Sequence, residues 1–218
     1  MGALLIKILL FNFLIIVNFA NAGTFNVGYL SGSSISNFGL GQAEATTKNS
    51  TSGYEIGFDH LFKNNFFIST NWQSLKLDFN DGSPASETAF DLIVGKQFGS
   101  LGNSFSFMAG GSSQKRMAGY LNGSVVEFKE INSLGAVLGA RIISRFLSYD
   151  FRYYHYPSSK VKDFDMPGKM LSHRVSLNLG KKRFKYGAYY LTQKFDYSGD
   201  YLSWRHQDFW GVYLGWQF

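Results

Sequence analysis

Short segments of the chain alternate between apolar and polar or small residues, as strands do when their two faces meet different surroundings. The last segment is the clearest example. Its apolar face carries Trp210, Val212, Leu214, Trp216 and Phe218, and the residues between them include two glycines and a glutamine. A strand of a soluble sandwich can alternate in this way, but it would rarely end a chain on its most apolar face. The pattern therefore predicts a strand whose apolar face meets lipid.

Further alternating segments precede this one and are separated by connectors that are longer and shorter in turn. The longer connectors are expected near residues 36–50, 81–84, 119–124, 157–169 and 196–200, and the shorter ones near 63–65, 99–103, 144–146 and 181–183. This rhythm predicts an all-β fold, a transmembrane antiparallel up-and-down barrel of ten strands, with both chain ends on the short-turn side. Eight strands is the alternative, if two segments only prolong their neighbours. Residues 184–195 carry aromatic side chains on both faces, so their outward side stays unassigned.

The first 22 residues predict a cleavable signal peptide. They contain one cation, Lys7, an apolar run over residues 8–19 that two asparagines interrupt, and the sequence Ala20-Asn21-Ala22. The competing interpretation is a retained membrane helix, but the run is short for a bilayer core of about 30 Å. We expect cleavage after Ala22, export, and one mature barrel domain over residues 23–218.

Composition fits an exported barrel. There is no Cys, which excludes disulfides and thiolate metal sites, while 18% of the residues are aromatic and Gly is abundant at 24. Aromatic rings are expected in two belts, one at each membrane interface. The belt at the longer connectors would contain Trp72, Tyr153, Tyr154, Tyr156, Tyr197, Tyr201 and Trp204, and the belt at the short turns Phe66, Phe98, Phe105, Phe184 and Phe218.

The net charge of +6 at pH 7 is modest and includes Lys7 of the signal segment. It favours contact with anionic headgroups of outer-membrane lipid and lipopolysaccharide, and the dispersed basic residues do not indicate a nucleic-acid partner. The exception is a basic cluster at residues 181–183 and Lys185. We interpret this cluster as a solvated turn, with a specific anion site as the alternative.

If the apolar face is outward, residues of opposite parity line the interior. Six charged residues then lie inside: Glu55, Asp91, Arg141, Asp150, Arg152 and Arg174. Charges in a narrow interior should pair, because a buried charge is costly unless it is matched and hydrogen-bonded. These residues predict a plug of ion pairs, and the alternative is a small pore that the same groups line.

The signal segment, the alternating connectors and the final Trp216-Gln217-Phe218 together resemble the opacity-type and OmpA-like small outer-membrane barrels. The resemblance implies a location in the outer membrane of a Gram-negative bacterium. It also implies that the terminal strand carries the signal read by the barrel assembly machinery. It leaves the role open. We expect a structural, interaction or adhesion protein that meets an envelope or extracellular partner through its outer loops, first those at 36–50 and 157–169. A porin-like passive pore is the alternative.

An enzyme is the hypothesis from another class. Polar residues expected near the outer rim are His155, Ser158, Ser159, Asp163, Asp165, His206 and Asp208. Barrel-type lipid A deacylases carry His-x-Ser-Asn and a later Glu. Here Ser158 stands one place late, Asn is missing, and no Glu follows Glu130. The Asp and His order of omptin proteases is not reproduced either. We therefore assign no catalytic residue, and we expect no cofactor and no metal site.

Overall fold

Ten long antiparallel strands and one two-residue strand form the fold. A computed structural model describes residues 22–40, 43–78, 84–100, 102–122, 125–161, 164–165, 167–181, 183–197 and 202–218. The strands are β1 (Ala22–Leu40), β2 (Ala43–Leu61), β3 (Phe66–Asp78), β4 (Pro84–Ser100), β5 (Asn103–Asn122), β6 (Val125–Ile143), β7 (Leu147–Val161), β8 (Phe164–Asp165), β9 (Gly168–Lys181), β10 (Phe184–Tyr197) and β11 (Leu202–Gln217). Residues 1–21, which are nearly all of the predicted signal segment, lie outside the described residues. Cleavage after Ala22 therefore stays a prediction.

The sheet closes on itself. Each long strand pairs with two neighbours, because β1 pairs with β11 and β6 pairs with β7, while short β8 pairs only with β7. The prediction of a closed ten-stranded antiparallel barrel is confirmed, and the eight-stranded alternative is wrong. In the part of the chain that the structure describes, no helix is long and apolar enough to cross a membrane.

The strands are longer than the sequence pattern suggested. Strands β1 and β2 pair without interruption from Ser31–Ser52 to Leu40–Ala43, so the long loop expected at residues 36–50 is wrong. Similarly, β5 and β6 stay paired up to Asn122–Val125, so residues 119–122 of the loop expected at 119–124 are paired strand. A strand that projects into water needs no apolar outward face, and a polar stretch can therefore remain paired.

The loop expected at residues 157–169 is also largely wrong, because Phe164–Asp165 pairs with Lys160–Val161 as β8. Strand β7 continues to Val161 through the exposed Pro157, and β9 already begins at Gly168. The register between β6 and β7 shifts here, so that Tyr156 and Pro157 together oppose Gly135. This is a β-bulge, where a residue without an N–H is tolerated because ladder pairing is already interrupted.

An apolar band surrounds the barrel wall. In β6 the outward residues Leu134, Leu138 and Ile142 are exposed by 52–68%, and in β11 Trp210 and Leu214 are exposed by about 70%. Beyond the band the outward residues become polar, as at Asn132 and Glu130 of β6. The band is the part of the wall suited to lipid, and strand β10 joins it through exposed Phe184 and Tyr186, which assigns its outward side.

The end of the barrel where β1 begins and where Phe218 lies is called the terminal end below, and the opposite end is called the distal end. At the terminal end Gly23 and Phe218 exchange two backbone hydrogen bonds of 3.0 Å. The turns there are short, with Asn65 at φ 64° and Gly180 at φ 110°, a region that Asn and Gly tolerate best. The described short turns, the start of β1 and Phe218 thus share one rim, as the connector rhythm predicted for the mature chain.

The aromatic belts are only partly as expected. Trp72 and Trp204 are exposed on the outer wall, but Tyr154 and Tyr156 are only 2% exposed and lie inside the barrel. Tyr197 packs against the same interior cluster. Tyr153 and Tyr154 are consecutive in a strand, so their side chains point to opposite faces. Placing both in the outer belt was therefore wrong for Tyr154. Tyr201 lies outside the described residues.

Replacing Leu138 by Arg places a charge in the middle of the apolar band. We expect the free energy of unfolding in phospholipid vesicles to fall by about 2–4 kcal/mol, because lipid-facing Arg is costly near the bilayer midplane. Equilibrium urea titration of vesicle-folded protein measures this. The control is Asn132→Arg, on the same face of the same strand beyond the band. An equal loss in both variants would contradict the placement of the band.

Candidate functional site: the charged barrel interior

Charged side chains fill much of the barrel interior. Five carboxylates and five guanidinium groups project inward from seven strands: Glu55, Asp59, Glu87, Asp91, Asp150, Arg116, Arg141, Arg152, Arg174 and Arg205. Alternation places them there, because each lies between neighbours in sequence that face the outer wall. They divide into groups at two heights of the barrel.

The first pair of the lower group joins opposite walls. Arg174 of β9 donates two hydrogen bonds to Glu55 of β2, with Nη1 to Oε2 at 3.0 Å and Nη2 to Oε1 at 2.7 Å. The guanidinium also lies 3.8 Å from the centre of the Tyr189 ring. Glu55 is 4% exposed. A bidentate pair stacked on an aromatic ring holds both groups in one geometry.

The rest of the lower group is centred on Asp150. Arg141 and Arg152 each donate from Nε to this carboxylate at 2.8 Å. Arg152 also donates to Asp91 Oδ2 at 3.1 Å, and the hydroxyl of Tyr154 donates to the same oxygen at 2.8 Å. All six interior charges expected from the sequence thus lie in ion pairs. Asp59, which was not expected, is the second partner of Arg141 at 3.4 Å.

The upper group lies distal to the apolar band and centres on Glu87. Arg205 and Arg116 both pair with this carboxylate, the latter at 3.3 Å, and the backbone N–H of Met117 donates to it at 3.0 Å. Arg116 reaches across the interior to Gln207 Oε1 at 3.0 Å and lies 3.9 Å from the centre of the Phe195 ring. The charged side chains here are at most 5% exposed.

Sequence reasoning missed the upper group because it stopped at the end of the apolar alternation. The signal was present in the parity: Glu87 stands four residues before Asp91 on the same inward face of β4. Likewise Arg205 and Gln207 share the inward face of β11 with Gly211. Following parity past the band would have found them.

Opposing effects act on Glu87, which lies outside the lipid-facing segments. Burial by itself raises the pKa of this carboxyl, but the charges of Arg205 and Arg116 and the hydrogen bonds outweigh it, so the pKa lies below its ordinary value of 4.5. Glu87 is therefore ionised at neutral pH, and one carboxylate holds two guanidinium groups together. Removing it would leave two buried cations without their partner.

Apolar side chains occupy the space between the charged groups. One cluster contains Met108, Tyr154, Met170 and Phe195, and another contains Leu30, Tyr189, Leu191 and Phe209. Between Glu55, Asp91 and Gln193 a cavity of about 40 Å³ remains, whereas a larger cavity of about 370 Å³ opens at the terminal end. Among the side chains that the structure describes, those around Glu87 are almost fully buried, whereas the lower group borders an open cavity.

A polar cluster on the outer wall contains two of the residues considered for catalysis. His206 Nε2 lies 3.2 Å from Asp208 Oδ1 and 2.9 Å from the hydroxyl of Thr192, and Tyr190 donates to Asp208 at 2.6 Å. Carboxylate and hydroxyl meet the same imidazole nitrogen. In a hydrolytic triad they contact opposite nitrogens, so this cluster does not reproduce that arrangement.

The other catalytic candidates are not brought together with it. His155 is exposed on the outer wall, whereas Ser159 is buried and bonded to Ser133 at 2.7 Å. The side chains of Ser158 and Asp165, and Asp163 as a whole, lie outside the described part. Among the described residues no three His, Asp or Glu side chains are grouped as a metal site would require.

The terminal strand presents the face that its alternation predicted. Trp210, Val212, Leu214 and Trp216 are 44–71% exposed on the outer wall. Phe218 follows the end of β11, and its ring stacks on Phe58 with centroids 6.2 Å apart. The role of this face as an assembly signal stays a prediction.

Replacing Glu87 by Gln keeps the size of the side chain and removes its charge. We expect the free energy of unfolding to fall by about 3 kcal/mol, because breaking a buried ion pair leaves the other charges uncompensated. Urea titration of the refolded protein, followed by tryptophan fluorescence, measures the loss. The matched control is Glu130→Gln, whose partner Lys115 is 2.6 Å away in an exposed pair that contributes about 0–1 kcal/mol. Equal losses would contradict a structural role for the upper group.

Comparison with known proteins identifies the fold. No protein-family profile matches the chain, and no curated protein sequence matches it. Among solved structures, the outer-membrane protease OmpT of Escherichia coli has 9% identity and a TM-score of 0.54, over 91% of this chain and 97% of that one. An outer-membrane channel of Pseudomonas putida F1 has 8% identity and a TM-score of 0.47, over 91% and 96%. The attachment invasion locus protein Ail of Yersinia pestis has 13% identity and a TM-score of 0.40, over 91% and 99%. Identities this low show the fold and no activity. The chain has the fold of the bacterial outer-membrane β-barrels.

Proposed function

We propose that this protein is a filled, non-conducting outer-membrane barrel that acts through the part of its wall outside the membrane, as an interaction or adhesion protein. The observation that carries the proposal is the upper charged group. Glu87 of β4, Arg116 of β5 and Arg205 of β11 meet inside the barrel and are at most 5% exposed.

Side chains that fill the barrel at this height block the diffusion of ions and solutes through it. Arg205 also donates to the backbone oxygen of Met117 and to the hydroxyl of Ser36 at 3.0 Å, so its side chain is held at several points. Arg116 is held by Glu87, Gln207 and the Phe195 ring. An ion would have to displace paired, buried charges, which is costly because each loses its partner. A filled interior stabilises the barrel but conducts nothing. The protein would therefore function through its outer surface.

The wall beyond the band is built as a rigid platform. By the plan of this class, short turns face the periplasm, which places the distal end outside the cell. Ten successive pairs of β1 and β2, from Ser31–Ser52 to Leu40–Ala43, lie beyond Tyr29 and Tyr54, the last large apolar side chains described as exposed on the outward faces of these strands. Ile35 shares that face but is only partly exposed. With about 3.3 Å of rise per residue and the usual strand tilt, they project about 25 Å. Backbone pairing holds this surface in place before any partner binds, which lowers the entropy cost of binding.

Lipid and assembly partners follow from the same orientation. The apolar band meets lipid, and the polar wall above it, with Lys48 and Lys76 exposed on neighbouring strands, meets the lipopolysaccharide headgroups. The terminal strand would engage the barrel assembly machinery during insertion. The signal segment, with cleavage after Ala22, would direct export.

A passive pore is the second candidate, and the wide terminal cavity favours it. Planar-bilayer recording of detergent-refolded barrel, shown to be folded by its heat-modifiable gel mobility, separates the two. We expect a silent bilayer for the wild type. The variant Glu87→Ala/Arg116→Ala/Arg205→Ala should give discrete current steps, because it removes the side chains that fill the distal half.

The control for that experiment is Glu55→Ala/Arg174→Ala, which opens the lower group and leaves the upper group intact. It should stay silent if the upper group is the barrier. Reproducible steps from the folded wild type would instead establish a pore and overturn the proposal of a filled barrel.

Shortening the projecting hairpin tests the interaction role. Replacing residues 37–46 by Asn-Gly joins Ser36 to Thr47 through a two-residue turn and keeps the hydrogen bond from Arg205 to Ser36. We expect normal assembly and at least a tenfold loss in adherence of whole cells to bacterial or epithelial surfaces, since the platform is removed.

The comparison variant replaces residues 118–129 by Asn-Gly and keeps the Met117–Glu130 pair. A loss with only one of the two shortened hairpins places the contact on that hairpin. Unchanged adherence with both, at equal surface expression, would mean that the projecting wall binds no partner on these surfaces.

A further inference from the structure

The terminal half of the interior contains an open cavity of about 370 Å³. Most of the residues that line it are polar or charged, and they include the amides of Asn26, Gln97, Asn178 and Gln217 and the hydroxyl of Ser148. Several of these groups are fixed, since Asn178 donates to Ser148 at 3.1 Å and accepts from the Tyr213 hydroxyl at 2.6 Å. The volume lies within the range of small-molecule sites, and polar groups are already positioned.

The inner boundary of this cavity is the lower charged group. Arg174 with Glu55, and Arg141 and Arg152 with Asp150, line it from their paired positions. Behind them lies the upper group, whose described charged side chains are at most 5% exposed. We call the cavity the vestibule; that its one entrance is at the terminal end rests on the filled barrel proposed above.

Two further cations line the vestibule without a carboxylate partner. Arg145 lies in the turn between β6 and β7, and Lys185 is the second residue of β10. Neither makes an ion pair with a residue in the described part of the chain, although Arg145 lies 5.0 Å from the centre of the Phe146 ring. The basic cluster interpreted from sequence as a solvated turn is thus divided. Arg183 is exposed, but Lys185 is half-buried and belongs to the vestibule.

The two cations stand on neighbouring hairpins. The backbone N–H of Asn178 donates to the oxygen of Phe146 at 2.6 Å, which fixes the β6–β7 turn against β9. Gly180 of β9 pairs directly with Lys185 of β10. Arg145 and Lys185 therefore belong to one side of the entrance, and their charges act on the same volume.

We propose that the vestibule binds a small anionic solute, of the polycarboxylate or phosphate class, from the periplasmic side. The lining carries five basic side chains and three acidic ones. The three acids already pair with three of the arginines, so Arg145 and Lys185 supply the attraction for an anion. Asp91, the fourth carboxylate of the lower group, is paired with Arg152 and does not line the vestibule.

A small solute fits better than a polymer because the vestibule ends at the lower charged group. Amides and hydroxyls beside the two cations can hydrogen-bond the remaining oxygens of a multivalent anion, as charge-assisted sites do. This site is separate from the projecting wall proposed above for interaction. The closed inner end of the vestibule rests on the filled barrel proposed above, but anion binding is measured independently of conductance. Current steps with retained anion binding would overturn the filled barrel alone, and a silent bilayer without anion binding would overturn the vestibule site alone.

Isothermal titration calorimetry of the detergent-refolded barrel tests the proposal. Citrate and pyrophosphate are the anionic probes, and glycerol is the neutral one. We expect one anion to bind per barrel, with weaker binding at higher salt because the attraction is electrostatic. Lys185→Gln and Arg145→Gln should each weaken binding about tenfold, since each removes one charge-assisted contact.

The matched control is Lys63→Gln, which removes an exposed cation from another turn of the same rim that does not line the vestibule. It should leave the affinity unchanged. If citrate binds and pyrophosphate does not, the ligand is a polycarboxylate, and the reverse result indicates phosphate. Absence of binding to the folded barrel, or equal weakening in all three variants, would overturn the proposal.

Discussion

Closure of the sheet is the constraint on which the structure depends. Hydrocarbon offers no hydrogen-bond partners, so every backbone group in the band must be paired within the barrel. The pairing of β1 with β11, which extends from Thr24–Gln217 to Gly39–Leu202, removes the two edges that an open sheet would have. Once the sheet is closed, alternation divides every strand into a lipid face and an interior face. The positions of the band and of the interior charges follow from this division.

The narrow interior then determines how its charges are arranged. Each of the five Arg side chains in the two charged groups meets a carboxylate. Several of these pairs connect strands that are not neighbours, such as Arg174 of β9 with Glu55 of β2 and Arg205 of β11 with Glu87 of β4. Such bonds restrain the cross-section of the barrel, which backbone pairing between neighbouring strands does not do. Guanidinium groups suit this role because they bind carboxylates in a planar, bidentate geometry and also stack on rings, as Arg174 does on Tyr189.

Sequence alternation predicted the fold because the band forces apolar residues onto one face. Trp210 to Trp216 and Leu134 to Ile142 show this directly, and Glu55, Asp91 and Arg174 followed from the opposite parity. The same logic failed beyond the band, where both faces of β1 and β2 meet water or a polar interior. The Ser, Thr and Asn residues at 36–50 are as typical of a loop as of a hydrated strand. The sequence therefore could not predict that this stretch pairs as part of β1 and β2. Glu87 and Arg205 were missed for this reason, and the vestibule was missed because it depends on which hairpins are neighbours.

The two halves of the interior differ in a way that a simple structural barrel would not require. A filled interior would be enough for stability, and Glu87, Arg116, Phe195 and Met170 fill the distal half in this way. The terminal half instead leaves about 370 Å³ open and keeps Lys185 and Arg145 without a carboxylate partner among the described residues. Unpaired cations beside an ion-paired group are electrostatically unfavourable unless water or an anion compensates them. This difference supports the proposal that the distal half blocks the barrel, and it gives the terminal half both the space and the charge for a ligand.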